Sequence, residues 1–471
     1  LLTRVAKILP GAEKKDLGSE PYWSEDNIRR AAGELVLGLA RGEEKAKLHL
    51  DQILADPGLA RQAAPILASL SYQVKDELSP QLGERLYGSS LEVSVSRLET
   101  FAACPFRHFA SYGLRLRRRE EYDLEPRHIG SFLHEALKLI GDRLAKQGPF
   151  WYEEWAQVME IVDEILQEQS PRLQHEILTK TSRYRYLNQI LRRTLLRVVE
   201  VWAEHARRGE FTPVGLEVDF GGPRAVLPPL DLGGIRVRGR IDRIDAALGS
   251  KGSYLRVVDY KSSINKLSIE EVYYGLTLQL LTYLLVVMDN ASRLVGGPGQ
   301  VAGALYFPLQ DPIINVDGPI KDEGELARER RRELRMEGLL LSDPEALCLM
   351  DAQIRGAWSE LIPARINKDG TVGKVKSCLP QARIQLLLAY VEGKLKLLGQ
   401  EIEGGRVEVA PYRLGRQTAC TYCDYKPLCG FDPLIHGCRW RHLPQLADNE
   451  AWVKIAGEVG EDVDLSTASG N

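Results

Sequence analysis

The chain has 471 residues, with 62 Lys and Arg against 65 Asp and Glu and a formal charge of -3. At about 150 residues to a domain, that length holds roughly three domains or one large elaborated one. A hydrophobic fraction of 44% beside 27% charged residues excludes wholesale disorder. The longest apolar run, Leu276 to Met288, is interrupted by Gln279 and Thr282 and falls short of the ~20 residues of a membrane helix, so no membrane partner is expected.

From the N-terminus, residues 1–92 read as a helical segment. Ala31, Ala32, Leu35, Val36 and Leu39 recur at helical spacing, and a second helix runs from Ala46 to Ala55 until Asp56-Pro57-Gly58 stops it. Leu1 opens in mid-pattern without a secretory signal, which reads as a piece of something longer. A new unit, 93–440, begins with a helix that Ser96 can cap and Cys104-Pro105 interrupts. Helices follow over Ile129–Ala145, Trp151–Glu168 and Tyr184–Arg208. The period then changes to the alternation of strands over Val214–Phe220, Ile235–Asp245 and Tyr254–Tyr260. An amphipathic helix, Ile269–Met288, and a strand, Val301–Phe307, complete an α/β core. Residues 311–400 read as a helical insertion, whose run Arg328 to Arg335 is a solvated mixed-charge face or a surface tracking phosphates. Residues 441–471 read as a C-terminal tail. No Gly-x4-Gly-Lys-Ser/Thr loop occurs, so the segment carries no phosphate loop of that type.

Chemistry concentrates between Arg236 and Ser263. Asp242 lies on one strand and Asp259 and Lys261 near the end of the next; residues two apart leave a strand on the same side, so neighbouring strands can gather all three. Two carboxylates can hold Mg²⁺ for phosphodiester hydrolysis, with the Tyr260 carbonyl as a further ligand. Lys261 can orient the attacking water or offset charge on the phosphate. The competing reading is a salt-bridged edge of Arg240, Asp242, Arg243 and Asp245.

His134 sits on a helix within Gly130-Ser131-Phe132-Leu133-His134, and Gln279 and Tyr283 share a helix face. Gly130 to His134, Gly239-Arg240-Ile241-Asp242, Asp259-Tyr260-Lys261 and Gln279 to Tyr283 resemble, in order and spacing, the motifs of the RecB-like branch of the PD-(D/E)XK nucleases. That resemblance implies a nuclease fold in which His134, Asp242 and Asp259 contact the metal, Lys261 serves the chemistry, and Gln279 and Tyr283 position the DNA backbone. It also places Glu217 as a supporting acid.

Seven cysteines, an odd number in a long chain, suit a reducing, cytoplasmic setting with a metal site better than a disulfide framework. Cys420-x2-Cys423-x5-Cys429 supplies three soft ligands, one short of the four that an iron–sulfur cluster or structural zinc takes. Cys104 and Cys438 are both open as the fourth. One cysteine before a nuclease core and a C-x2-C-x5-C set after it resembles the iron staple of AddB-type helicase–nucleases. The resemblance implies Cys104 as the fourth ligand of a 4Fe–4S cluster, with Cys348 and Cys378 as ordinary buried thiols. It further implies an exonuclease that cleaves single-stranded DNA from the 5′-ended strand at double-strand breaks, paired as a heterodimer with an AddA-type subunit. Residues 1–92 would be the tail of a helicase-like region.

Arg107, His108, Arg115, Arg117, Arg118 and Arg119 follow Cys104 closely, with Tyr112 and Tyr122 among them, which reads as a single-strand contact or a solvated loop. Two rival functions are a non-catalytic DNA-binding scaffold stabilised by the cluster and a stand-alone CRISPR-type or phage exonuclease. The complete Asp242, Asp259 and Lys261 set speaks against the scaffold, and the length against the second.

Overall fold

A computed structural model describes residues 38, 42–61, 64, 77–88, 90–117, 126–148, 151–170, 182–262, 266–312, 314, 323–433 and 438–460. The chain divides into two units, 1–75 and 76–471. In the first, α1 (Glu44–Ala55) forms where a helix is expected. Asp56 ends it and starts another turn, because its carboxylate accepts the amides of Gly58 at 2.8 Å and Leu59 at 3.2 Å. The helix expected over 31–39 lies outside the described residues, apart from Gly38.

The second unit is built on a mixed sheet of β1 (Leu91–Ser94), β2 (Thr212–Phe220), β3 (Leu230–Asp231), β4 (Ile235–Gly249), β5 (Gly252–Lys261), β6 (Gly299–Pro308), β7 (Glu337–Leu341) and β8 (Cys378–Leu379). Its order is β1-β4-β5-β6-β7-β8, with β2 and β3 also paired to β4. The β4–β5 hairpin is antiparallel and its last ladder pair at the site end is Arg243 opposite Val258. β5 and β6 run parallel, with Lys261 level with Pro308; parallel neighbours need a long crossover.

The helices are α2 (Pro80–Tyr87), α3 (Val95–Ala103), α4 (Pro126–Ala145), α5 (Trp155–Gln169), α6 (Ser182–Arg208), α7 (Ile269–Tyr273), α8 (Gln279–Asp289), α9 (Glu323–Glu333), α10 (Pro344–Met350), α11 (Gln381–Glu403) and α12 (Asp448–Val459). A small sheet, β9 (Tyr412–Leu414), β10 (Gln417–Thr418) and β11 (Arg441–Leu443), has the order β10-β9-β11. Among the described residues no helix is long and apolar enough to cross a membrane.

The α/β architecture agrees with the sequence pattern; several details do not. Ser94, rather than Ser96, caps α3 by accepting the Arg97 amide. The helix expected over Ile269–Met288 is two helices, α7 and α8, parted at Gly275, whose φ of 75° is left-handed and suits a residue without Cβ. Residues 311–400 are not purely helical, since β7 and β8 lengthen the central sheet. The supposed tail carries α12, whose Trp452, Ile455 and Ala456 join the core. The boundary at 92 cuts through β1, which pairs with β4 from Leu91 to Ser94.

Two buried ion networks brace the core. Arg208 at the end of α6 grips Asp351 with two bonds of 2.9 and 2.7 Å, and Ser359 donates to the same carboxylate at 2.6 Å. Asp245 lies between Arg243 at 2.6 Å and Arg256 at 2.9 Å, with Arg243 over the Trp202 ring. Buried charges persist only when paired this completely. The Arg243–Asp245 half of the expected salt-bridged edge is therefore a core network, leaving Asp242 free for other partners.

Candidate active site

Asp242 lies one step beyond the last ladder pair of the β4–β5 hairpin, where its Oδ2 accepts the Tyr260 amide at 2.7 Å. That bond ties the tip of β4 to the segment bearing Asp259 and Lys261. From α4, whose Phe132, Leu133, Ala136 and Leu137 are buried, His134 turns its Nδ1 to within 3.4 Å of Asp242 Oδ2 and 3.7 Å of Glu217 Oε1. One ligand atom from each of His134, Glu217 and Asp242 falls within 4.8 Å of the other two.

Glu217 reaches this point through a left-handed backbone, φ 49°, in the middle of β2. Such a conformation costs a residue with a Cβ about 1–2 kcal/mol and persists where the surroundings impose it. Asp259 is buried and pairs with Lys261 at 2.7 Å rather than joining the trio. Glu217 Oε1 and Asp259 Oδ2 are both buried without a hydrogen-bond donor. Unsatisfied carboxylate oxygens are costly, and a hard divalent cation is the partner their chemistry suits.

The electrostatics fit the same need. Burial, with the Asp242 charge behind it, pushes the Asp259 carboxyl up to about 6, against the pull of Lys261. Burial opposes protonation of His134, but hydrogen bonds to Asp242 and Glu217 and their charges outweigh it and push its pKa up to about 10. A proton thus holds the three groups together where a cation would bind.

Lys261 Nζ donates to Gln279 Oε1 at 3.0 Å, which turns the amide so that Gln279 Nε2 donates to the Tyr283 hydroxyl at 2.9 Å. Tyr283 accepts in this chain, so its own O–H proton is left for another acceptor. Burial raises its pKa, keeping it a phenol. Gln279 starts α8 because the Glu99 carboxylate takes the orphan amides of Leu278 at 2.6 Å and Gln279 at 2.9 Å. Burial pushes Glu99 up to about 7 despite those two bonds.

Sequence reasoning placed Asp242, Asp259, Lys261, His134, Gln279 and Tyr283, and the structure brings them together. Tyr260 meets the cluster through its amide N–H, which bonds Asp242, and not through the carbonyl that was expected. Glu217 is more central than its sequence signal suggests. Glu99 was missed, since its target lies 179 residues away.

A second cluster gathers Cys104, Cys420, Cys423 and Cys429 around one small cavity, with Phe106, Pro411 and Phe431. Cys438 is not among the lining residues. Pro105 drives Cys104 into an extended conformation, φ -165°, at the end of α3, and the amides of Arg107, Phe106 and Ala410 aim at its sulfur. Burial, and then the neighbouring thiols, push Cys420 up to about 11. The segments are pinned by the Phe106 amide to the Glu408 carbonyl at 3.0 Å, by Arg441 on the Ala102 carbonyl, and by Tyr425, which donates to Leu116 and accepts from Ser111. No three of the four sulfurs lie mutually within 4.8 Å. Cys348 and Cys378 are half-buried.

The basic stretch after Cys104 is corrected in part. His108 is fully buried, accepts Arg97 Nε at 2.9 Å and packs beside Tyr87, Phe101 and Tyr112. It does not face solvent. Arg115 and Arg117 are exposed, and Arg118, Arg119 and Tyr122 lie outside the described residues. In α9 the arginines are tied up, Arg331 to Glu360 at 2.9 Å and Arg332 to Glu329 at 2.6 Å.

A strand hairpin presenting Asp-x-Lys beside a second acid, a histidine and a Gln–Tyr helix defines a nuclease of the PD-(D/E)XK type. The chain belongs to the PD-(D/E)XK nuclease superfamily, whose profile matches residues 92–430. It is similar to the AddB chain of the ATP-dependent helicase/deoxyribonuclease of Moorella thermoacetica, 41% identical across 98% of this chain and 41% of that protein. The corresponding AddB chains of Pelotomaculum thermopropionicum, 44% identical over 97% of this chain, and Desulforudis audaxviator, 38% over 98%, match likewise, each across 41% of its own length. The chain thus spans about two fifths of the curated relatives it matches.

Proposed function

We propose that this chain is the nuclease part of a helicase–nuclease and hydrolyses phosphodiester bonds of single-stranded DNA with a divalent metal, Mg²⁺ in the cell. The supporting observation is the convergence of His134, Glu217 and Asp242 beside the Asp259–Lys261 pair, with two buried carboxylate oxygens lacking donors. Asp242, Asp259, Glu217 and His134 would hold the metal, and the Tyr260 carbonyl could add a ligand. When bound, the ion supplies charge neutralisation at the phosphate and a more acidic water.

The chain's own groups do the rest. Lys261, fixed by Asp259 and Gln279, holds a positive charge where negative charge builds on the phosphate oxygens. Tyr283 keeps a free O–H for a phosphate oxygen because its lone pair is occupied by Gln279. Asp242 holds Tyr260 and hence the strand end in place.

Cys104, Cys420, Cys423 and Cys429 would bind a 4Fe–4S cluster. One zinc ion at about 2.3 Å from each sulfur needs the sulfurs about 3.8 Å apart; their wider spacing here suits a larger cluster. Such a link between positions 104 and 420 closes a loop of about 316 residues. The names of the relatives support an assembly with a helicase partner of AddA type, acting in the cytoplasm on the 5′-ended strand at double-strand breaks.

Asp242→Ala should abolish Mg²⁺-dependent cleavage of a single-stranded oligonucleotide while the fold and DNA binding persist. Undiminished cleavage would overturn the site. The anaerobically purified protein should be brown; colourless protein carrying one zinc would overturn the cluster.

A further inference from the structure

Strand alternation puts Arg236, Arg238 and Arg240 on one exposed side of β4, while Ile235, Val237 and Ile241 are buried between them. Two residues beyond Arg240 is Asp242. Arg240 also lies 3.8 Å from Glu217, so the arginine row runs directly into the metal-binding acids. Beside the row, the turn after β2 folds back over a groove of about 610 Å³ lined by Ser94, Arg224, Arg238 and Arg240. The turn is held by the Gly221 amide on the Leu227 carbonyl at 3.0 Å. Gly221 is left-handed, φ 77°, and a Cβ there would lie 2.8 Å from Arg238 Cβ.

Arg224 is exposed and makes no ion pair among the described residues. The others are only loosely countered: Glu92 sits 3.4 Å from Arg236 and 3.6 Å from Arg238, and Asp219 2.7 Å from Arg240, all at exposed side chains. Exposed pairs of this kind exchange readily for a phosphate, to which arginine offers a two-pronged donor set.

Alternate residues of a strand stand about 6.7 Å apart, comparable to successive phosphates of an extended single strand. Regular positive charge at that interval, aimed at a metal site, matches a regularly charged polymer better than an irregular acidic protein segment. We propose that the Arg236–Arg238–Arg240 row and Arg224 form the track that holds the backbone phosphates of the strand beyond the bond being cut. The track spans about 20 Å from Arg236 to Asp242, enough for about three nucleotides. This inference rests on the nuclease reading above and names its substrate path.

The test measures binding of a fluorescent single-stranded oligonucleotide with Ca²⁺ in place of Mg²⁺, across a salt series. It compares the unaltered chain, Arg224→Ala/Arg238→Ala and Arg224→Lys/Arg238→Lys; neither position lies in the catalytic cluster. Each single-strand phosphate contact contributes about 0.7 to the log–log salt slope, so the alanine variant should lose about 1.4. Its affinity should then fall about sevenfold less steeply than the unaltered chain's between 50 and 200 mM salt, and the lysine variant should keep most of the slope. An alanine variant with unchanged affinity and slope overturns the track while leaving the nuclease reading intact. An unaltered chain that neither binds nor cleaves the oligonucleotide overturns both.

Discussion

Glu99 links the fold to the site, and its replacement separates two physical effects. Its carboxylate serves two amides at the start of α8, at 2.6 and 2.9 Å, and burial holds its pKa at about 7 against an ordinary value near 4.5. A folded-state pKa above the unfolded value means the folded chain binds the extra proton between those pH values, so stability falls as pH rises through that window. The full shift corresponds to about 3 kcal/mol, and the remaining solvent access of this half-buried side chain reduces it to about 2 kcal/mol. Glu99→Gln keeps an acceptor for the amides and carries no charge. Denaturant titrations at pH 5 and pH 8 should therefore show the Gln variant gaining about 2 kcal/mol relative to the unaltered chain at the higher pH. Asp259 titrates in both chains and largely cancels in the difference. Glu99→Ala removes the acceptor and should cost about 2 kcal/mol at pH 5. Because Gln279 then loses its anchorage, cleavage should also slow roughly tenfold. Parallel pH profiles for the unaltered and Gln chains would refute the reasoning.

Three further outcomes follow from the geometry. Lys261→Met should reduce cleavage by about 10²–10³-fold with little change in DNA affinity, measured in single-turnover assays. Tyr283→Phe, which removes only the free O–H, should slow cleavage about tenfold and leave the Lys261–Gln279 contact in place. Cys104→Ser should bleach the visible absorption and remove up to about 5 kcal/mol of loop-closure stabilisation, read as a lower melting temperature; Cys438→Ser should change neither.

What could be read in advance was the set of residues whose spacing itself carries chemistry. Asp259 and Lys261 two apart, and Gln279 and Tyr283 four apart, fix relative directions on a strand and on a helix. The structure preserves those relations as a 2.7 Å ion pair and a 2.9 Å hydrogen bond. Elements whose identity depends on distant neighbours were not legible. The apolar run Glu337–Leu341 fits a helix or a strand equally by composition, and only pairing with β6 makes it β7. The α7–α8 break needs both Gly275 and the remote Glu99, while local periodicity runs through it unbroken. His108 looked like part of a basic surface, yet Arg97 and three aromatic rings enclose it. Glu217 left only a faint trace, because a left-handed residue inside β2 aims it at the site.

The central claim is that acids and a histidine from three separate elements share one divalent ion. Electron paramagnetic resonance of Mn²⁺ titrated into the chain measures this without relying on turnover. One tightly held ion per chain, lost in Asp242→Ala and retained in Lys261→Met, is the predicted result. Full Mn²⁺ occupancy in Asp242→Ala would contradict it.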